Sequence, residues 1–172
     1  LVIAGGRLHG KEALGDFTKF AEEFQLPVAT SQRRFHVFDS RHPNAAGRLF
    51  NRAPGQTLEV MKESDLLLVI GERIGPSMSQ GYTFPRAPKP DQPMIHVWPS
   101  TEEVGRNYEP ELGIGCDPHE FIKAMMAEGA GELPVSRIEW VKRLNTVHKE
   151  VMTWSPVSSN DGVVFGHVVT AI

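Results

Sequence analysis

Residues 64–73 read Ser-Asp-Leu-Leu-Leu-Val-Ile-Gly-Glu-Arg, and they give the clearest structural signal in the chain. The apolar residues Leu66 to Ile70 follow one another without alternation, between an aspartate and a glycine. A short apolar run of this kind is typical of a strand that is buried on both faces. Such strands occur mainly in parallel sheets that helices cover on each side. We therefore predict a strand over 66–70 in a parallel sheet.

Similar apolar runs occur on both sides of this stretch. The predicted strands cover residues 1–4, 27–30, 66–70, 94–98 and 112–115. The segments between them predict helices over 8–24, 54–63, 101–107 and 118–128, with Ser100 capping the third. Strands that alternate with helices predict an α/β fold, here a Rossmann-like three-layer α/β/α domain with a mostly parallel sheet, of the NAD/FAD-binding type. We assign residues 1–130 to this domain.

The segment 131–159 is predicted to contain a linker and a helix outside that domain. Its apolar residues recur at steps of three and four and so line one side of a helix: Trp140, Leu144, Val147, Val151 and Trp154. This stripe has no apolar partner in its own segment, so we expect it to dock elsewhere. Because the chain starts on a strand residue and stops in an uncapped helical pattern, we also expect it to be a fragment of a longer polypeptide.

Composition excludes several classes of protein. The 172 residues include 18 basic and 21 acidic side chains, a net charge of −3, whereas a general nucleic-acid binder has a strongly basic surface. No apolar run approaches the about 20 residues that cross a bilayer. The single cysteine, Cys116, excludes a disulfide framework and a multi-cysteine zinc site, and we expect it to be a buried small side chain. We therefore expect a cytoplasmic protein without nucleic-acid or membrane partners.

The ends of the predicted strands carry the candidate binding residues. In an open parallel sheet, ligands bind outside the carboxyl ends of the strands, where backbone N–H groups are free. Glycines there allow close approach of a ligand, and arginines offer donors suited to phosphate. The candidate cofactor-binding residues are Gly5, Gly6, Arg7, Ser31, Arg33, Gly71, Arg73 and Ser100. The alternative interpretation is that these are only tight turns, since Gly5, Gly6 and Gly10 do not have dinucleotide-fingerprint spacing.

A cluster of arginines lies between Gln32 and Arg52. Five arginines and one acid give this segment a local charge of +4: Arg33, Arg34, Asp39, Arg41, Arg48 and Arg52. Two interpretations stay open, a solvated loop that pairs with acids from elsewhere and a site for phosphate or an anionic cofactor. The seven histidines lack metal-ligand spacing, and no serine lies in a nucleophile-elbow sequence. We therefore assign no catalytic and no metal-binding residue.

Several segments, in order along residues 1 to about 128, carry a family resemblance. They are Leu-Val-Ile-Ala-Gly-Gly (1–6), Leu-Pro-Val-Ala-Thr (26–30), Arg-His-Pro-Asn-Ala-Ala-Gly (41–47), residues 64–73, Ile-His-Val-Trp-Pro-Ser-Thr-Glu-Glu-Val-Gly-Arg-Asn (95–107) and Gly-Cys-Asp (115–117). Together they resemble the central domain of thiamine-diphosphate-dependent enzymes of the acetolactate synthase, pyruvate oxidase and benzoylformate decarboxylase group. Segment 41–47 is similar to the loop ahead of that domain's second helix pair.

The resemblance implies a parent enzyme that converts a 2-keto acid with thiamine diphosphate and Mg²⁺. Both would be held by two other domains of the same chain, in a homodimer or homotetramer, so these residues alone would not catalyse the reaction. Residues 160–172, with Asp161-Gly162, resemble the truncated start of the C-terminal cofactor-binding domain. Some family members hold FAD or ADP on the central domain with acids at positions that are Trp98 and Ser100 here, so we expect at most weak affinity for these nucleotides.

One alternative function remains open, an FAD- or ADP-binding module of a flavoprotein such as an electron-transfer flavoprotein. A sirtuin-like deacylase shares a fold of this kind but needs four zinc-binding cysteines, and the single cysteine excludes it.

Overall fold

The computed structural model describes residues 1–172, which form six strands and five helices. The strands are β1 (Val2–Ala4), β2 (Val28–Ser31), β3 (Ala45–Leu49), β4 (Leu67–Ile70), β5 (Met94–Trp98) and β6 (Leu112–Gly115). The helices are α1 (Lys11–Glu23), α2 (Gly55–Lys62), α3 (Pro118–Glu128), α4 (Val135–Met152) and α5 (Phe165–Thr170). None of these helices is both long enough and apolar enough to cross a membrane.

All six strands run parallel in one sheet with the order β3-β2-β1-β4-β5-β6. Strand β1 lies between β2 and β4, and Ile3 pairs with Ala29 on one side and Val69 on the other. Every residue of β1, β2 and β4 is buried. The prediction of a parallel sheet covered on both faces is confirmed.

A separate apolar core lies on each face of the sheet. Phe17 and Phe20 of α1 and Ile122 of α3 belong to one core. Met61 of α2 and Leu144 of α4 belong to the other. Because side chains along a strand alternate between faces, Val2 and Ala4 join the first core while Ile3 joins the second. The two helix layers and the sheet between them make the predicted three-layer α/β/α fold.

Strand β3 is a strand that the sequence prediction missed. Its sequence, Ala-Ala-Gly-Arg-Leu, has no β-branched residue, and we placed it in an arginine-rich connection and, by resemblance, in a loop. Tertiary context holds it as a strand: it pairs with β2 through a register shift between Val28 and Ala29. Gly47 provides the positive φ of 110° in this strand.

The predicted helix over 101–107 is also wrong, since this segment forms turns. Gly105 adopts a positive φ of 85°, which ends any helical path there. Ser100 does bind the turn that follows it, because its Oγ accepts the N–H of Glu102 at 3.3 Å. The turns instead pack against β6, where the side chains of Thr101 and Val104 occupy the space beside its two glycines.

Helix α4 docks on the second face of the sheet, against α2 and β3. Leu144 of its apolar stripe is fully buried, and Trp140 and Val147 pack against the same core. Arg143 adds a two-pronged ion pair with Glu63, with one N–O distance of 2.8 Å. Most of the stripe thus finds its partner on the sheet that residues 1–130 form. Its last residue, Trp154, lies beyond the end of α4, is 39% exposed and contacts His167 instead.

Replacing Leu144 by alanine tests this docking. The substitution removes a fully buried side chain from the core, and we expect it to lower the free energy of unfolding by about 2–5 kcal/mol. Val135→Ala is the control, because Val135 is 69% exposed on the same helix. Equal, small effects of both substitutions in urea unfolding would show that α4 is not part of the core.

Candidate functional site

The carboxyl ends of β1 and β4 meet at the point where the strand order reverses. This position is the usual ligand site of open α/β sheets. The turns after the two strands are joined directly: the N–H of Gly5 donates to Ile70 O at 2.9 Å, and the N–H of Arg7 donates to Gly71 O at 3.1 Å. The structure therefore brings together the predicted residues of the first and fourth strands.

A tryptophan at the end of β5 contacts the arginine side chains of both turns. The ring of Trp98 lies 5.2 Å from the Arg7 guanidinium carbon and 5.7 Å from that of Arg73. These distances fit cation–π contacts. Trp98 is only 8% exposed, and Arg73 also lies 3.6 Å from a carboxylate oxygen of Glu103. Both guanidinium groups thus have partners within the chain.

The end of β2 adds a third side chain to this edge, from Arg34. The guanidinium of Arg34 lies over Gly6, where a side chain would overlap it. Arg33, the residue predicted for this role, has a positive φ of 62° and lines a shallow cleft of about 390 Å³ with Gln32 and Glu72. No sequence pattern distinguishes the two adjacent arginines, and none assigns Trp98 to the site.

Ser31 and Ser100 behave differently from the arginines. Ser31 is fully buried, and its Oγ has no hydrogen-bond partner. Ser100 is half-buried at the end of β5 and uses its Oγ within its own turn. Neither hydroxyl group contacts an arginine of the edge through a hydrogen bond.

The arginine cluster of residues 32–52 is not neutralised by acids from elsewhere, contrary to one of the two interpretations. Arg41 alone lies within ion-pair distance of a carboxylate, 2.9 Å from Asp39 of the same segment. This guanidinium lowers the pKa of Asp39 to about 2. Arg48 instead lies 4.6 Å from the ring of Phe35, which is 42% exposed.

The buried or half-buried ionisable groups His96, Tyr108 and Cys116 near the edge have pKa values shifted toward their neutral forms. The imidazole of His96 is 6% exposed and donates from Nε2 to Glu72 O at 2.9 Å, and burial lowers its pKa. Burial raises the pKa of Tyr108 to about 12 and raises that of Cys116. Cys116 is half-buried rather than fully buried. A thiol with a raised pKa is a poor nucleophile at neutral pH.

One cluster of metal-ligating side chains lies between α1 and α3. The ligand atoms of Glu12, Asp16 and His119 lie within 4.8 Å of one another. Asp16 accepts hydrogen bonds from His119 and Lys19, both at 3.0 Å, and these bonds lower its pKa. The cluster is thus a hydrogen-bonded contact between two helices.

The sequence model of the thiamine pyrophosphate enzyme central domain matches residues 1–125. The chain belongs to this family. The family resemblance and the fold that the sequence predicted are therefore confirmed, and the flavoprotein alternative has no support from these comparisons.

Curated relatives extend beyond the matched domain. Sulfoacetaldehyde acetyltransferase of Rhodobacter capsulatus is 24% identical over 87% of this chain and 28% of its own length. The mitochondrial acetolactate synthase of Schizosaccharomyces pombe is 25% identical over 74% of the chain and 20% of its own. Acetolactate synthase isozyme 1 large subunit of Escherichia coli is 23% identical over 87% of this chain and 25% of its own length. The chain thus spans about a quarter of the length of these relatives.

The residues of the carboxyl edge do not fit thiamine diphosphate with Mg²⁺, the cofactor that the family name implies. Mg²⁺ bound to a diphosphate takes oxygen ligands, often one or two carboxylates. At this edge, the carboxylate of Glu72 accepts the backbone N–H of Arg73 at 3.0 Å. The carboxylate of Glu103 pairs with the guanidinium of Arg106 at 2.9 Å and with that of Arg73 at 3.6 Å. Both carboxylates are therefore engaged with arginine residues.

A dinucleotide such as FAD does not fit the edge either. A pyrophosphate reaches such a sheet by close approach to a glycine turn. Here Arg34 covers Gly6, and the Cβ of Arg7 lies 3.0 Å from the point that a side chain on Gly71 would reach. The two glycines are covered by the chain's own arginines.

Proposed function

We propose that this chain is the central domain of a larger thiamine-diphosphate-dependent enzyme that resembles acetolactate synthase and acts on a 2-keto acid. The family match over residues 1–125 carries this proposal. Relatives named acetolactate synthase and sulfoacetaldehyde acetyltransferase, each about four times the length of the matched part, support it. In such an enzyme, thiamine diphosphate supplies carbanion chemistry at a keto group.

In this proposal the domain packs against the other domains of the parent enzyme, and those other domains catalyse the reaction. Residues 1–130 form the central domain, 131–159 dock on its sheet through α4 and connect it onward, and 160–172 begin the next domain. Exposed apolar side chains in the last segment support a packing role: Val163, Phe165, Val168, Val169 and Ile172. Apolar clusters of this kind mark surfaces that contact other protein parts. We further propose a homodimeric or homotetrameric, cytoplasmic parent enzyme, on the strength of the family alone.

The 172-residue chain should therefore not bind thiamine diphosphate with Mg²⁺ at micromolar concentration, and it should not decarboxylate pyruvate. The reason is that Glu103 at the edge of its sheet is already paired with Arg73 and Arg106, and Glu72 accepts the backbone N–H of Arg73. Calorimetric titration with Mg²⁺ present is the measurement, and the Escherichia coli acetolactate synthase isozyme 1 large subunit is the positive control. Micromolar binding of thiamine diphosphate by this chain would contradict the proposal that other domains hold the cofactor.

We also propose that the carboxyl edge binds small anions weakly, through the arginines among the predicted site residues. The predicted set is Gly5, Gly6, Arg7, Ser31, Arg33, Gly71, Arg73 and Ser100, of which Gly6 and Gly71 are covered and Ser31 is buried. The concentration of guanidinium groups around the ends of β1, β2 and β4 supports this proposal, and Arg34 belongs with them. The cation–π contacts to Trp98 leave the guanidinium N–H groups of Arg7 as donors for an anion, and Arg73, whose Nη1 lies 3.6 Å from Glu103, has its other N–H groups as donors.

Titration with ADP tests the anion site. A charge-assisted hydrogen bond contributes about 1.5–3 kcal/mol, so Arg73→Ala should weaken ADP binding by about tenfold or more. The matched control is Arg86→Ala, because Arg86 pairs with Asp91 on an exposed loop. Unchanged affinity in the Arg73→Ala protein, or an equal loss in both variants, would refute the site without bearing on the family.

A further inference from the structure

A cavity of about 310 Å³ lies at the amino-terminal edge of the sheet, at the opposite end of the strands from the arginines. Its lining comes from residues that precede or open β1, β2 and β4 and from the first turns of α4. Among them are Leu1, Leu26, Leu66, Arg137 and Trp140. The cavity is therefore a groove between the sheet and α4, and we call it the amino-edge groove.

The backbone nitrogen of Leu1 lines this groove and is bonded as a peptide nitrogen would be. It donates to Leu66 O at 2.8 Å, and the N–H of Leu68 donates to Leu1 O at 2.9 Å. These bonds extend the parallel ladder that β1 and β4 form from Val2 onward. Leu1 is only 6% exposed. A carbonyl carbon bonded to its nitrogen, about 1.33 Å away, would therefore lie inside the amino-edge groove.

A charged amino group is a poor fit for this position. Burial lowers the pKa of the Leu1 amino group to about 5, while Asp65 acts to raise that pKa and Arg137 acts to lower it further. A peptide nitrogen carries no charge and keeps the hydrogen bond to Leu66 O. It would be buried here without the unfavourable desolvation of a charge.

Trp140 gives a second, independent indication that a polar partner belongs in the groove. Its indole Nε1 is buried and has no hydrogen-bond partner, although buried donors in native proteins nearly always have one. The polar side chains of the lining have partners elsewhere: the Ser64 hydroxyl donates to Met61 O at 2.8 Å, and the Glu63 carboxylate binds Arg143. We therefore expect the acceptor for the indole on a segment that enters the groove.

We propose that the residues preceding Leu1 in the larger enzyme run through the amino-edge groove, where one of their carbonyl oxygens accepts from Trp140 Nε1. The inference rests on the proposed function, because a longer parent chain provides this segment. The ring of Trp140 and the side chain of Leu26 offer apolar contacts to its side chains. Since α4 follows the domain in sequence, the segments that enter and leave the domain would pack side by side at the amino edge.

Urea unfolding of three chains tests whether the groove is occupied. They are residues 1–172, the same chain with the residues that its gene encodes immediately upstream, and that longer chain with the added residues scrambled. Both extensions remove the charged amino group, so their difference reports the groove alone. Because burial of one apolar side chain is sufficient, we expect the native extension to lower the unfolding constant at least about tenfold more than the scrambled one.

NMR of the indole N–H groups tests the hydrogen bond. Exchange at Trp140 Nε1 should be slower with the native extension than with the scrambled one by about fivefold, the factor expected from one hydrogen bond. The indole of Trp154, which is 39% exposed, should be unchanged. Trp140→Phe keeps an aromatic ring but loses the N–H, so it should reduce the advantage of the native extension in urea, whereas the matched control Trp154→Phe should not.

Equal stability and equal Trp140 exchange in the two extended chains would overturn the proposal and leave the family match untouched. Loss of folding caused by the native extension would overturn it too, because a segment that fits an existing groove does not disrupt it. Concentration-dependent dimerisation of residues 1–172 that protects Trp140 would assign the groove to a second copy of the chain and would also overturn it. A gene without coding sequence before Leu1 would contradict the proposed function as well.

Discussion

Parallel pairing of β1 with both β2 and β4 is the constraint on which the rest of this structure depends. It places a three-residue strand at the middle of a six-stranded sheet, buries it on both faces, and splits the apolar core in two. Because all strands run in one direction, their carboxyl ends and the turns after them lie on one edge. The arginines that follow β1, β2 and β4 are distant in sequence, and they meet there for this reason alone.

The same edge shows how a family fold is adapted locally. Trp98 occupies the end of β5, is buried and contacts two guanidinium groups, while Arg34 covers the glycine turn after β1. A buried aromatic ring and a covered glycine take up space that a bound dinucleotide requires. The positive charge that remains is spread over Arg33, Arg34 and their neighbours, which suits small anions better than a cofactor held along the sheet.

The sequence predicted those elements whose apolar pattern is local. Leu66 to Ile70 were predictable because burial on both faces leaves an unbroken apolar run, and α1 was predictable because burial on one face leaves apolar residues at helical spacing. Strand β3 was not, since Ala-Ala-Gly-Arg-Leu becomes a strand only through its pairing with β2 and the cover of α4. Likewise, the pattern of 101–107 suggested a helix, but the positive φ of Gly105 and the packing against β6 determine its path.

The sequence predicted at which edge of the sheet the candidate site lies, but not which side chains contact one another there. Strand direction predicts that Gly5, Gly71 and their arginines lie close together, and the structure shows it through the bond from Arg7 N–H to Gly71 O. That Arg34 rather than Arg33 reaches Gly6 depends on the left-handed backbone of Arg33, which no sequence pattern marks. The sequence marked Trp98 only as a position where some family members have an acid. Its contacts with Arg7 and Arg73 were not predictable, because the three residues belong to or follow three different strands.

The claim that the carboxyl edge of the sheet is closed by its own side chains is tested most directly by acrylamide quenching of Trp98 fluorescence. The chain used carries Trp140→Phe and Trp154→Phe, so that Trp98 is its remaining tryptophan. Acrylamide is uncharged, so the arginines do not attract or repel it. Burial of the indole at 8% exposure predicts a quenching constant well below that of free tryptophan, and Arg7→Ala should raise it. Quenching as efficient as that of free tryptophan, unchanged by Arg7→Ala, would show that the edge is open and would contradict this account.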